Sequence, residues 1–250
     1  MIAMLGMYDM PALQPANDRF WSLIRAHLGF DPSHLTRGAD VWDVWRSPDL
    51  VFSQTCGMPY RTRLHGKVQL VGTPDYGLAG CPPGYYRSVI VARKDDTRDL
   101  DQLADGIFAY NEALSQSGWA APMVHLSRHS RLPSSVLETG GHALSAAAVA
   151  EGRADYAALD ALTWELLKEH SNLGPELREV AATEPSPALP YITANCQDAP
   201  RIAKAVRAAI NDLSPADQKM LHLRGLIDIP AEHYLAVPDP SPEAAKLIDP

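Results

Sequence analysis

The chain alternates short strand-like and helical stretches, and two proline clusters about 100 residues apart break that alternation. The first cluster is Cys81-Pro82-Pro83-Gly84 and the second is Glu184-Pro185-Ser186-Pro187-Ala188-Leu189-Pro190. Proline fixes φ and carries no N–H, so neither cluster can continue a helix or a central strand. Prolines number 21 in 250 residues, above the usual share of roughly 5%, and the excess is positional. Two such crossings predict a lobe inserted into another. Lobe one is then residues 1–83 plus 190–250, lobe two is residues 84–189, and the hinges lie near 82–86 and 185–190. The expected fold class is α/β, a two-lobed architecture with a ligand cleft between the lobes.

The elements between the breaks are legible by period and composition. Asn17 or Asp18 is read as the cap of a helix with Phe20, Trp21, Leu23, Ile24 and Leu28 on one face, ended by Gly29. Leu50–Phe52 and Val68–Val71 read as buried strands. Ser88–Ala92 is the strongest strand, being rich in β-branched residues and bounded by turns. Ile107–Tyr110 and Met123–Leu126 are weaker strand candidates. An Ala-rich helix over Gly141–Ala150, a strand over Asp155–Leu159 and a helix over Ala161–His170 follow. Val180–Thr183 and Pro190–Ala194 look extended, and Pro200–Leu213 is an amphipathic helix. Strands alternating with helices predict mostly parallel pairing.

Thirty Asp and Glu against 22 Lys and Arg give a net charge of −8. That balance argues against nucleic acid or an anionic membrane as partner, because both require a basic footprint. It leaves room for a small anion in a locally favourable pocket. Three cysteines, with no C-x-x-C, exclude a zinc ribbon and a disulfide scaffold and permit at most one bridge. No run of about 18 apolar residues is present, so no membrane insertion is expected. The start, Met1-Ile2-Ala3-Met4-Leu5, lacks the basic and apolar regions of a leader. The expected location is periplasmic if a leader has been trimmed and cytoplasmic if Met1 is the native start.

Nucleotide-binding glycine loops, the G-x-S-x-G elbow and H-E-x-x-H are all missing. His125 and His129 have the i, i+4 spacing of a metal pair, but no third ligand accompanies them, so no metal and no cofactor is expected. Three small, polar, Gly-containing loops stand out. They are Ser53-Gln54-Thr55-Cys56-Gly57-Met58-Pro59-Tyr60, Asn111-Glu112-Ala113-Leu114-Ser115-Gln116-Ser117-Gly118-Trp119, and Thr139-Gly140-Gly141-His142. Each reads as opening a helix. A helix start offers unpaired N–H groups and a positive dipole end, so it collects anions without Lys or Arg. The plain alternative for any one of them is an ordinary N-cap.

The order of these loops resembles the phosphonate- and phosphate-type substrate-binding proteins of ABC transporters, in the type II periplasmic-binding fold. The likeness runs from about Asp49 to Asn195. It is densest in Ala79–Ser88, Ala109–Gly118, Thr139–His142 and Gly152-Arg153-Ala154-Asp155-Tyr156-Ala157-Ala158-Leu159-Asp160. Members often carry Ser where this chain has Gly141, which removes one hydroxyl and leaves an N–H. The resemblance implies that Ser115, Ser117 and Gly118 meet the anionic oxygens and that His142 donates from the third loop. It implies that Asp160 pairs with a ligand ammonium, where its alternative is a helix cap. It also implies that Tyr8, Thr55, Cys56, Gly57 and Tyr60 face the cleft from lobe one. Tyr85 and Tyr191 are candidate aromatic walls, as are Tyr86, Trp119 and Trp164.

The function expected is a solute-binding protein, not an enzyme, that closes on a small polar or anionic ligand and serves an ABC permease. No catalytic residue is assigned. The alternative is a cytoplasmic enzyme on the same fold, resembling those of menaquinone or thiamine-pyrimidine biosynthesis with His142 as base. A cytoplasmic ligand sensor is the third reading.

Overall fold

The computed structural model describes residues 1–29 and 32–248. In chain order the strands are β1 (Ile2–Met4), β2 (Leu50–Gln54), β3 (Val68–Asp75), β4 (Tyr85–Tyr86), β5 (Ser88–Arg93), β6 (Ile107–Tyr110), β7 (Ser135–Glu138), β8 (Tyr156–Asp160), β9 (Leu177–Ala182), β10 (Ser186–Pro187), β11 (Tyr191–Ala194) and β12 (Gly225–Ile227). The chain divides into two compact units. Unit 1 is Met1–Tyr85 with Pro187–Ala236, and unit 2 is Tyr86–Ser186 with Val237–Pro250.

Unit 1 holds a five-stranded sheet in the order β1-β2-β11-β3-β12. The helix Gln14–Leu28 buries Phe20, Trp21, Ile24 and Leu28, and Trp21 stacks on Phe52 of β2 at 5.9 Å. That helix begins earlier than the Asn17 or Asp18 cap expected, because Pro15 in its first turn supplies a helical φ without needing an N–H partner. The helix Ala199–Asp212 buries Ile202, Val206 and Ile210 as its amphipathic pattern demands. A second cluster gathers Val44, Trp45, Leu50, Tyr60, Leu64, Ile192 and Tyr234.

Unit 2 holds a five-stranded sheet in the order β7-β6-β8-β5-β9. Its core combines Ile90, Phe108, Tyr110, Trp119, Met123, Leu126 and Tyr156. Here three expectations give way. Met123–Leu126 is not a strand but part of the helix Ala121–Arg128. Its short apolar run carries no β-branched repeat beyond Val124, and it follows Pro122, which suits a first helical turn.

Pairing is mixed rather than mostly parallel. β1–β2, β6–β7 and β6–β8 are parallel, whereas β11 runs against β2 and β3, and β5 runs against β8 and β9. The strands that follow each crossing, β5 and β11, enter their sheets from the crossing end, and that reverses them. The third difference is the tail, expected in lobe one. Residues from Val237 belong to unit 2, because Ala244 is fully buried in that core and Leu247 and Ile248 pack against it. Asp249 and Pro250, counted in the same range, lie outside the described residues.

Candidate functional site

β6 lies between β7 and β8 and runs parallel to both, so the loops leaving these three strands emerge at one edge. Each loop then opens a helix. After β6 comes a π-wound turn, Gln116–Ala120, that runs on into Ala121–Arg128. After β7 comes His142–Ala150, and after β8 comes Ala161–His170. The carboxyl edge of parallel strands is where open α/β sheets take ligands. Two of the three loops picked out by composition thus meet in unit 2.

Their contact is built from specific bonds. Ser115, 2% exposed, caps the first helix, its Oγ accepting from the Gly118 N–H at 2.9 Å. Ser117 Oγ and His142 Nε2 are 3.0 Å apart and hydrogen-bonded, which joins the first helix start to the second. Gly140 N–H donates to the Asn111 carbonyl at 2.9 Å, with Gly140 at φ +86°. Thr139 Oγ1 bonds the Tyr110 carbonyl at 3.0 Å and Ser145 Oγ at 2.7 Å. Gly141, at φ −174°, is the N-cap of the second helix and offers backbone only. The result is a cradle of N–H groups and hydroxyls suited to oxyanions.

Burial pushes the His142 imidazole down to about 4, outweighing its contact with the Ala158 backbone. The ring is therefore neutral at physiological pH, and its Nδ1 is buried with no hydrogen bond of good geometry. An unfolded histidine takes its proton near 6.5. Acid thus favours the unfolded chain, and stability present above pH 6.5 is lost progressively as pH falls toward about 4. Urea denaturation across that window should show the loss. His142→Gln should flatten it, and an unchanged slope in that variant would assign the loss elsewhere.

Asp160, expected as an ammonium partner, caps the helix Ala161–His170, with Oδ1 accepting from the Thr163 N–H at 3.0 Å. A cap of this kind contributes about 1 kcal/mol. Around the cradle mouth stand two carboxylates. Partial desolvation and the nearby Glu138 push the Glu112 carboxyl up, and Tyr110 Oη donates to Glu138 Oε2 at 3.3 Å. Trp119 and Trp164, proposed as walls, are 1% and 2% exposed and belong to the packing of unit 2. Tyr86 is likewise buried.

In unit 1, β1 and β2 are parallel, so the residues after them leave one edge. Tyr8 follows β1 and is partly accessible, edge-on to Tyr76 at 5.5 Å. Thr55 follows β2, its N–H donating to the Pro190 carbonyl at 3.1 Å. Cys56 is the N-cap of the turn Gly57–Pro59, which continues into Tyr60–Leu64. Tyr60 does not line that edge. It is 3% exposed and packs edge-on to Tyr234 at 5.2 Å. Tyr191 is also a core residue, 4.7 Å from the Phe52 ring. Tyr85 Oη bonds His233 Nδ1 at 2.8 Å at the start of the first crossing. None of the three cysteines is in a disulfide. His125 and His129 have rings 5.3 Å apart on and just past one helix, and no metal-holding group occurs among the described residues. No helix of the described residues is long and apolar enough to cross a membrane.

Asn111 and Thr139 open two of the loops that composition picks out, but sequence reasoning assigns them no role of their own. The available signal was position, since each directly follows a strand at the edge where the helices begin.

Residues 50–231 match the family described as ABC transporter, phosphonate, periplasmic substrate-binding protein. The chain belongs to this family. The family is one of transport binding components, not of enzymes, and the biosynthetic-enzyme alternative finds no support. No curated protein sequence matches the chain. Among solved structures, PhnD1 of Prochlorococcus marinus in complex with methylphosphonate has a TM-score of 0.75 at 15% identity, over 99% of this chain and 97% of that one. XAC2383 of Xanthomonas citri bound to chloride ion gives 0.68 at 15%, over 99% and 96%. A binding-protein component of an ABC phosphonate transporter from Pseudomonas aeruginosa gives 0.68 at 14%, over 90% and 80%. At these identities the likeness establishes the two-lobed α/β binding-protein fold.

Proposed function

We propose that this chain is the solute-binding component of an uptake system for a small phosphonate or related oxyanion, and that the unit 2 cradle holds the anionic oxygens. The observation that carries this reading is the joining of two helix starts through Ser117 and His142. Ser115 orients the first start by accepting from the Gly118 N–H, the other first-turn N–H groups of the two helices turn their dipoles to the anion, and neutral His142 holds Ser117 by a hydrogen bond. From unit 1, Tyr8, Thr55, Cys56, Gly57 and Tyr85 are proposed ligand contacts. Tyr60 and Tyr191 support them from the core, and Asp160 acts through the helix it caps. Delivery to an ABC permease, with the protein working in the periplasm, completes the proposal.

Calorimetry with methylphosphonate, phosphite, phosphate and methanesulfonate tests it. At least one should bind, and Ser117→Ala should weaken that ligand about tenfold through loss of one hydrogen bond to a charged group. A Ser117→Ala protein that binds as tightly as the parent would remove the cradle from the reading.

A further inference from the structure

We propose that Asn111 makes the cradle selective for the singly ionised form of its oxyanion, the form that still bears a P–OH, with Asn111 Oδ1 accepting that proton. This rests on the cradle being the anion site. Asn111 Oδ1 is a buried acceptor without a hydrogen-bond partner. It lies against Gly118, so closely that a Cβ on that glycine would come within 1.8 Å of it. An acceptor set among donors has a specific effect. A protonated ligand oxygen satisfies it, whereas a fully ionised oxyanion meets an uncompensated lone pair.

The surrounding charges act in the same direction. No Lys or Arg occurs from residue 99 to 127 or from 132 to 152, which spans both helix starts. The carboxylates Glu112 and Glu138 flank the loops. The elements packed on His142–Ala150 bring no unengaged cation from known pairings. On β5, Arg93 is paired with Asp95. On the helix Ala161–His170, Lys168 is paired with Glu165, and His170 lies 3.7 Å from Glu169. On β9, Arg178 donates to the Asp96 and Arg98 carbonyls, and Glu179 accepts from Trp164. β6 carries no charged residue, and β8 ends in the capping Asp160. On the first helix, His125 lies two turns from Ser117, its imidazole pushed down by burial and by the nearby His129 and Arg128, and Arg128 lies at the far end. Arg87 is the basic residue nearest that sheet edge, one position before Ser88. Ser88 is the cross-strand partner of Asp160, and the Arg87 carbonyl accepts from the Ala161 N–H at 3.1 Å. A guanidinium stays charged at every pH tested, so Arg87 adds no pH dependence of its own. His142 stays neutral across the physiological range, and the ligand's own proton is left as the variable.

The test is calorimetry with methylphosphonate, whose second ionisation falls near neutrality, and methanesulfonate, a monoanion throughout that carries no hydroxyl. Measurements run from about pH 6 to about pH 9, so that each ligand charge state is sampled. With the wild-type protein, methylphosphonate affinity should fall about tenfold per pH unit above its second ionisation. Methanesulfonate should bind roughly tenfold more weakly at the low end and show a flat profile. Asn111→Ala should remove the low-pH advantage of methylphosphonate and leave methanesulfonate within about twofold. Methylphosphonate affinity that holds or rises through its ionisation would overturn the proposal, as would equal weakening of both ligands in Asn111→Ala. The wild-type pH profile stands independently of whether the variant folds. If neither ligand, nor phosphite or phosphate, binds at any pH, this proposal and the anion-site reading fall together. Binding indifferent to the ligand's proton removes this proposal alone.

Discussion

Gly118→Val is expected to weaken ligand binding on the order of a hundredfold while the protein remains largely folded. A Cβ at this position would sit 1.8 Å from Asn111 Oδ1, 2.8 Å from Asn111 Cγ and 3.0 Å from Ser115 Oγ. Asn111 cannot absorb this by a small shift, because its Oδ1 is buried and its backbone carbonyl holds Gly140. Relief requires Asn111 to swing out or the helix start to move. Either movement breaks the Ser115 cap or parts Ser117 from His142. Overpacking of this kind costs about 1–3 kcal/mol. Losing two anion contacts at about tenfold each weakens binding on the order of a hundredfold. Calorimetry reads the affinity and chemical denaturation reads the stability. Gly225→Ala is the control, since no atom lies within 4 Å of a Cβ there. Retention of affinity in Gly118→Val would show that the close approach at Gly118 is irrelevant to the ligand.

Deletion of residues 237–250 is expected to destabilise unit 2 by about 2–4 kcal/mol, from the apolar area that Ala244, Leu247 and Ile248 cover. The effect should be local. Amide exchange in the helices of unit 2 should accelerate, while the helices Gln14–Leu28 and Ala199–Asp212 of unit 1 keep their protection. Uniform protection in both units after deletion would mean that the tail contributes nothing to the core it touches.

Much of the fold was legible because its signals are local. Ser88–Ala92 is a strand by side-chain shape alone. Ala199–Asp212 is a helix because Ile202, Val206 and Ile210 recur at helical spacing. Ser214 and Ser241 cap helices that begin with Pro215 and Pro242, a pattern readable without coordinates. Met123–Leu126 reads as a strand only because so short a stretch, Met-Val-His-Leu, shows no clear period, and the continuation of the turn at Gln116–Ala120 makes it helical.

The site divides along the same line. Composition selected the loops that hold Ser115, Ser117, Gly118 and His142, and the resemblance implied that these residues meet the anion. It could not separate Asp160 as a helix cap from Asp160 as a ligand carboxylate, since both uses favour the same residue at the same position. Nor could it tell Tyr60 and Tyr191, which pack in a core, from Tyr8, which stays accessible. An aromatic side chain in a loop or strand carries no mark of which way it faces.

The sequence by itself determined that this is an acidic α/β chain with two proline-marked crossings and helix-opening loops fit for a small anion. These properties depend on backbone chemistry within a few residues. Tertiary structure alone decided that β6 lies between β7 and β8. That order brings Asn111, Ser117, Gly140 and His142 to one edge, although His142 lies 31 positions after Asn111. It also decided that the tail completes the core of unit 2. Strand order and tail placement follow from which apolar faces find each other across long stretches of chain, and no local pattern encodes that choice.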